Sequence, residues 1–355
     1  LTLPEAHLFS TVTAAVLEAA GYRVLLPPLW LQGAASAPVL EADVRPQHPA
    51  EGLSPHTLDE KVAVSWSVTL NGERLTGEEM EQLLQAPAPL VCFRGQWLQV
   101  DVRHIRDALR VWQRDTAETR TARDIVRLAL GTADRQHGMD VVQVRGDGWL
   151  ETFLGQLSGG QPFETLPIPE GFCGELRPYQ IRGFSWLAFL RKWGLGACLA
   201  DDMGLGKTIQ TLAFFLHEKA RGEKRPALLV GPMSVLGNWL HEAQRFAPNL
   251  RLLLHHGAGR EHGKAFARAV QGADVVVTSY SLLHRDYADL RKVGWAGLVL
   301  DEAQNIKNPD TRQAQAARAL QADYRIALTG TPIENHVGEL WSIMDFLNSG
   351  LLGKR

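Results

Sequence analysis

The stretch LADDMGLGKTIQ, Leu199–Gln210, decides how the second half of this chain folds. A short apolar run leads into glycines at 204 and 206, then Lys207 and Thr208. The backbone N–H groups of such a loop can converge on phosphate oxygens, with Lys207 neutralising the β/γ-phosphates and Thr208 ligating Mg²⁺. Asp201 stands five residues before Gly206, where the general phosphate-loop pattern has its first glycine. The loop therefore needs corroboration from the sequence around it.

That corroboration lies downstream. The apolar runs ALLVG (227–231), LLLH (252–255), DVVVT (274–278), GLVLD (297–301) and RIALTG (325–330) are short and near-continuous, as strands buried on both faces are. Helical stretches separate them. In one, Ser234 is placed to cap, and Leu236, Trp239, Leu240, Ala243 and Phe246 recur at helical spacing. The pattern predicts an α/β fold with a doubly wound parallel sheet, which binds ligands beyond the carboxyl ends of its strands. GLVL runs straight into Asp301 and Glu302, so two carboxylates fall at a strand end. One is suited to hold Mg²⁺ and the next to orient or deprotonate an attacking water. A tight turn beside a solvated acidic pair is the plainer alternative.

Composition is that of an ordinary globular chain, with 45% hydrophobic and 21% charged residues over 355 positions, room for about two domains. Net charge is −2, but unevenly spread: 14 Lys+Arg oppose 22 Asp+Glu before Phe172, and 23 oppose 17 from there on. A polyanionic partner would meet the C-terminal part. The Gly- and Pro-rich segment 157–175 reads as a linker, giving domains over 1–172 and 173–355. Cys92, Cys173 and Cys198 are too few and too scattered for a disulfide framework or zinc cluster, which fits a reducing cytoplasm. The start lacks the basic flank and apolar core of a signal peptide, and no apolar run reaches membrane-spanning length. The absence of an initiating Met suggests a trimmed chain.

The first half predicts a mixed α+β domain without a catalytic constellation. SWSVTLNGERLTGEEMEQLLQ reads as a strand, an Asn71-Gly72 turn and a helix opened by a Thr76–Glu79 capping box. LVCFRGQWLQVD suggests a hairpin around residues 94–96, and TARDIVRLALG a helix capped by Thr121 and stopped at Gly131. In DVRHIRDALRVWQRD, Arg103, Arg106, Arg110 and Arg114 form a stripe opposite Ile105, Leu109 and Trp112. It is either a solvated face or a phosphate-tracking one. The histidines, including the pair His255 and His256, show no metal-ligand spacing and read as core or surface residues.

LRPYQIRGFSWL (176–187), LADDMGLGKTIQ, LLVGPMSVLGNWLHE (228–242), VVVTSYSLL (275–283), LVLDEAQNIKN (298–308) and LTGTPIEN (328–335) together resemble the ordered motifs of SWI/SNF-type ATPases, double-stranded DNA translocases of helicase superfamily two. The resemblance implies a RecA-like P-loop lobe, a parallel sheet flanked by helices, preceded by the accessory domain of bacterial members. Asp201 agrees with this family at the first loop position. The likeness implies ATP and Mg²⁺ as ligands. Lys207, Asp301 and Glu302 would be catalytic, and Thr208 and Asp301 would hold the metal. Gln180 would read adenine, and Gly204, Leu205, Gly206, Lys207, Thr208 and Ile209 would line the nucleotide. Pro232, Ser234, Trp239, Thr278, Ser279 and Tyr280 fall in elements that track DNA phosphates, and Thr329, Gly330 and Thr331 in the element linking nucleotide to DNA. Trp239 also reads as a helix-face core residue, and Tyr280 as either packing or contact.

The implied activity is ATP-driven movement along duplex DNA that remodels or displaces a bound protein, in a cytoplasmic, nucleoid-associated setting with no membrane partner. The likeness ends near residue 350, where the family continues into a second RecA-like lobe. That lobe carries the arginine fingers, and Arg312 and Arg325 match no finger motif, so these residues alone are expected to hydrolyse ATP very slowly. The competing readings are a strand-separating helicase or restriction-type translocase, and a DNA-binding scaffold without turnover. Retention of Lys207, Asp301 and Glu302 argues against the scaffold.

Overall fold

The computed structural model describes residues 5, 8–24, 39–46, 60–70, 73–85, 90–94, 96–99, 102–113, 118–129, 141–146, 149–333 and 337–352. Described residues up to Ser158 pack as one unit and those from Gly159 as another. The division falls inside the Gly- and Pro-rich segment 157–175, and most of that segment goes with the second unit for a physical reason. Phe163 packs tilted against Trp186 and stacks on Phe189, Leu166 N–H donates to Ser185 Oγ, and Phe172 stacks on Phe246, all within the second unit.

In the first unit, β1 (Val39–Pro46) and β2 (Lys61–Leu70) pair antiparallel. The short β3 (Glu73–Arg74) adds to β2 with Leu70 opposite Glu73. The Asn71-Gly72 turn itself lies outside the described residues. The hairpin of β4 (Leu90–Phe93) and β5 (Gln96–Gln99) closes with Phe93 opposite Gln96, as the sequence predicts. β6 (Glu118–Thr121) pairs β2, and β7 (Val141–Gly146) runs parallel to β1. β2 buries Val62, Val64, Trp66, Val68 and Leu70, the period-two pattern of a sheet with one core face.

The helices are α1 (Ala14–Ala19), α2 (Gly77–Leu84), α3 (Val102–Gln113), α4 (Ala122–Ala129) and α5 (Trp149–Leu157). The capping box of α2 forms: Thr76 Oγ1 accepts from Glu79 N at 3.2 Å, and Glu79 accepts from Thr76 N at 2.8 Å. Thr121 caps α4 in the same way, accepting from Asp124 N. The stop expected at Gly131 lies outside the described residues. On α3, Ile105, Ala108 and Leu109 are buried while Arg103, Arg106 and Arg110 are exposed, and Arg110 pairs with Asp107 at 3.3 Å. Arg114 and the Trp112 side chain lie outside the described residues.

The second unit contains α6 (Pro178–Lys192), β8 (Ala197–Leu199), α7 (Lys207–Ala220), β9 (Ala227–Gly231), α8 (Leu236–Phe246), β10 (Leu252–Leu254), α9 (Gly263–Gln271) and β11 (Val275–Ser279). It continues through α10 (Tyr280–Arg285), α11 (Tyr287–Leu290), β12 (Trp295–Asp301), a 3₁₀ turn over Ala303–Ile306, α12 (Arg312–Ala319), β13 (Ala322–Leu328) and α13 (Val337–Leu347). The six strands form one parallel sheet in the order β10-β11-β9-β12-β13-β8. All five expected strands are present. Ser234 does not cap α8, which begins after Val235 with no side-chain cap.

Alternate residues feed the two faces. Leu228, Val230, Val276, Leu298, Leu300 and Ala327 join Phe266, Trp295 and Phe346 in one core cluster. Each fully buried aliphatic or Phe side chain contributes about 1.5–3 kcal/mol. On the other face Phe214 meets Tyr324 edge-on, with ring centroids 5.2 Å apart. At the sheet edge, Asn348 brackets β8 by accepting from Gly196 N at 2.8 Å and donating to Gly196 O at 3.2 Å. His255 is buried, with Nε2 2.8 Å from Asp286 Oδ2, and Arg260 grips the same carboxylate. Burial holds this imidazole below the usual histidine range, consistent with a core role. Among the described residues no helix is long and apolar enough to cross a membrane, and no group of His, Cys, Asp and Glu is arranged to hold a metal by itself.

Gly297 of β12 lies opposite Tyr324 of β13, and a β-carbon there would sit 2.0 Å from the tyrosine ring. Since the core offers no slack for that ring, Gly297→Ala is expected to destabilise the second unit by about 1–3 kcal/mol or more. Urea unfolding measures this. A midpoint equal to that of the parent would show that Tyr324 repacks freely.

Candidate active site

Beyond β8 the chain turns through Asp201–Gly206 and enters α7. The turn needs left-handed backbone at Gly204 and Gly206, with φ of 84° and 82°. At Gly206 a β-carbon would also approach Gln180 Nε2 to 2.7 Å, so no other residue fits without displacing its neighbours. Gly206 is the N-cap of α7, so the N–H groups of its first turn, which include Lys207, Thr208 and Ile209, have no intrahelical acceptor. Lys207 Nζ lies over the loop, donating to the carbonyls of Asp201 at 2.6 Å and Asp202 at 3.1 Å. The Asp201 carboxylate is held by Gln210 Nε2 at 2.9 Å. Leu205 is exposed, while Thr208 and Ile209 are half-buried.

Gln180, in the first turn of α6, is buried against this loop. Its Oε1 accepts from Arg177 N at 2.9 Å, and its Nε2 donates to Leu205 O at 3.1 Å and faces Tyr179 Oη at 3.3 Å. The amide therefore ties the start of α6 to the phosphate loop.

Asp301 and Glu302 end β12. Burial pushes the Asp301 carboxyl above the usual carboxylate range, opposed by the Trp239 hydrogen bond. Its Oδ1 accepts from Glu302 N at 3.0 Å and its Oδ2 from Trp239 Nε1 at 2.7 Å. Glu302 takes left-handed backbone, φ 52° and ψ 57°, which costs a non-glycine residue about 1–3 kcal/mol. A hydrogen-bond chain runs from it: Gln304 Nε2 donates to Glu302 Oε2 at 2.8 Å, Thr329 Oγ1 to Gln304 Oε1 at 2.9 Å, and Thr331 N to Thr329 Oγ1 at 3.1 Å. The end of β12 is thus wired to the segment after β13. The same segment lies against the phosphate loop, since a β-carbon at Gly330 would meet Met203 Cγ at 3.2 Å.

The expected nucleotide residues therefore converge at one end of the sheet. The expected DNA residues divide. Ser234 and Thr331 are exposed, and Pro232 and Gly330 are half-buried. Trp239, Thr278, Ser279, Tyr280 and Thr329 are buried and spend their polar groups internally. Thr278 Oγ1 donates to His255 O at 3.0 Å, and Ser279 Oγ lies 3.0 Å from Ser281 Oγ. Tyr280 Oη donates to Asp301 O at 2.9 Å, and burial beside Asp301 and Glu302 keeps that phenol protonated. Such groups hold the loops in place and do not face an external polyanion. Arg325 is also internal, donating to Phe346 O, Arg318 O and Leu320 O.

Gln210 and Gln304 lie within quoted motifs, LADDMGLGKTIQ and LVLDEAQNIKN, but carry no role in the sequence reading. Asp201 and Glu302 lie in the same stretches as these glutamines, but the Thr329 partner becomes visible only once the sheet brings β12 and β13 together. The donor set at the strand ends is oxygen alone, the Thr208 hydroxyl with the Asp301 and Glu302 carboxylates, and this suits a hard cation such as Mg²⁺.

The comparisons with known proteins agree with this geometry. A family model described as SNF2-related domain matches residues 179–355, and one described as SNF2 Helicase protein matches residues 1–130. The putative ATP-dependent helicase/translocase YwqA of Bacillus subtilis is 40% identical over 362 residues, 98% of this chain and 39% of that protein. The chromatin-remodeling ATPase ISW1 of Saccharomyces cerevisiae is 38% identical across 52% of this chain and 17% of its own length. A solved SWI2/SNF2 ATPase core of Sulfolobus solfataricus, in complex with dsDNA, is 49% identical over 54% of this chain and 39% of that one, with a TM-score of 0.49. The chain spans about two fifths or less of the length of each of these relatives. Its α/β second unit is a RecA-like lobe, and the chain belongs to the SNF2 family.

Proposed function

We propose that this chain is the ATP-binding lobe of a DNA-dependent ATPase that translocates on double-stranded DNA and remodels or displaces bound protein. The observation that carries this reading is the placement of three separate segments, Gly204–Ile209, Asp301–Glu302 and Thr329–Thr331, at the carboxyl ends of the parallel strands, the last two joined by the Glu302–Gln304–Thr329–Thr331 hydrogen-bond chain. The similarity to YwqA, a putative ATP-dependent helicase/translocase, supports it. ISW1 is named a chromatin-remodeling ATPase, and the Mot1 protein of Schizosaccharomyces pombe, 38% identical over 57% of this chain, a TATA-binding protein-associated factor. Both names support a protein–DNA complex as the target.

In this reading the first turn of α7 and Lys207 bind the β/γ-phosphates, and Gln180 supports adenine from the start of α6. Thr208 and Asp301 would hold Mg²⁺, which supplies charge neutralisation on the phosphates when bound. Glu302 orients the attacking water and accepts its proton. Gln304 holds one Glu302 oxygen and so sets the carboxylate's aim. Pro232, Ser234, Gly330 and Thr331, at the exposed ends of β9 and β13, take the DNA backbone, and the buried Trp239, Thr278, Ser279, Tyr280 and Thr329 support them from below.

The test compares these 355 residues with a chain continued through a second RecA-like lobe. Because the γ-phosphate needs positive charge from the far side as well, duplex DNA is expected to stimulate hydrolysis strongly only in the longer chain. Triplex displacement without strand separation then identifies translocation. Strong duplex stimulation in the 355 residues alone would overturn the division of labour between lobes.

A further inference from the structure

We infer that Trp239 is a positioning residue for the metal carboxylate: its indole N–H fixes one oxygen of Asp301 and thereby sets where the divalent cation accompanying the nucleotide binds. This rests on the nucleotide reading above. The sequence offers Trp239 as one more apolar position on the inner face of α8, and it is 1% exposed. A buried indole N–H needs an acceptor. A main-chain carbonyl serves for Trp295, whose Nε1 donates to Leu290 O at 2.9 Å. Trp239 instead spends its N–H on a carboxylate 62 residues away, at 2.7 Å, the short distance of a hydrogen bond to a charged acceptor.

The rest of the environment leaves Asp301 little freedom. Its Oδ1 is held by Glu302 N at 3.0 Å, and its own carbonyl accepts from the buried Tyr280 hydroxyl at 2.9 Å. Both carboxylate oxygens are thus oriented by protein donors, one from its own strand end and one from α8. Each oxygen keeps a second lone pair, so the carboxylate stays able to take a cation or a cation-bound water. A phenylalanine at position 239 would keep the ring in the core and remove only the donor.

The experiment is calorimetric titration of the 355-residue chain with ATP, in EDTA and in Mg²⁺, for the parent and for Trp239→Phe. The variant is expected to bind ATP in EDTA within about twofold of the parent. It should lose about tenfold or more of the tightening that Mg²⁺ brings, the scale on which partners of a ligating group act. An unchanged Mg²⁺ gain would overturn the inference, and so would an equal loss with and without Mg²⁺, which means that the ring only supports the fold. If the parent itself binds no ATP in either buffer, the nucleotide reading falls and this inference falls with it. Should Trp239→Phe not fold, ¹⁵N-indole spectra of the unsubstituted chain ask the same question. One indole resonance is expected to move when Mg²⁺ joins the ATP complex and to stay still in Asp301→Asn, and the absence of any responding indole overturns the proposal.

Discussion

Replacing Lys207 by alanine abolishes measurable ATP binding by this chain and leaves its fold intact. The two halves of that expectation come from the same geometry. Lys207 is the first residue of α7, and its ammonium reaches back over the loop to the carbonyls of Asp201 and Asp202. Triphosphate binding adds charge-assisted bonds worth about 1.5–3 kcal/mol each, so losing the cation costs on the order of a hundredfold in affinity. The folded state loses much less. The side chain is half-buried, its bonds go to main-chain oxygens at the surface of the loop, and alanine is the better helix former. Calorimetry with ATP and thermal unfolding followed by circular dichroism separate the two effects. Equal ATP affinity in the two proteins would remove the loop from the site.

Glu302→Gln has the opposite signature: ATP still binds, and DNA-stimulated hydrolysis falls by about 10²–10⁴ in a chain that includes the second lobe. Glutamine keeps the length of the side chain and an oxygen for Gln304 Nε2, so the link to Thr329 and Thr331 survives. What it loses is the capacity to take a proton from water. The left-handed backbone at this residue is equally costly for glutamine, so stability should move little. Single-turnover hydrolysis beside equilibrium ATP binding measures both quantities. Hydrolysis at the parental rate would assign proton acceptance to another group.

The fold of the second unit was legible because its central strands β9, β11 and β12 are buried on both faces, although the edge strand β10 is only half-buried. ALLVG, DVVVT and GLVLD carry no polar interruption, and a run of that kind bounded by helical segments has few other places to go. Short local signals in the first unit also read true, since the caps at Thr76 and Thr121 depend on residues three positions apart. The residues expected at the nucleotide, Gln180 apart, fall in two contiguous stretches that follow strands, which is why the sequence could offer them as candidates.

What escaped the sequence depends on partners far along the chain. Nothing near Trp239 reveals that its indole meets Asp301, and nothing near Tyr280 reveals that its hydroxyl meets the same residue's carbonyl. The sequence left Trp239 between a core place and a DNA-tracking one and Tyr280 between packing and contact, and burial turns both inward. Gln210 and Gln304 were passed over because a glutamine beside stronger motif residues has no signature of its own. Ser234 looked like a helix cap by residue type, but α8 starts two residues later.

The order of the sheet has a consequence for how the lobe is made during synthesis. β8, which launches the phosphate loop, is paired among the described residues with β13 alone, and its leading Gly196 is clasped by Asn348, 152 positions further on. A ribosome that has released the loop has therefore not yet released what holds it. The central strands β9, β11 and β12 can associate first, while the loop waits for nearly the whole lobe to emerge. Contacts closed over such separations form slowly. Competence to hold a nucleotide should accordingly be among the last properties the nascent lobe acquires.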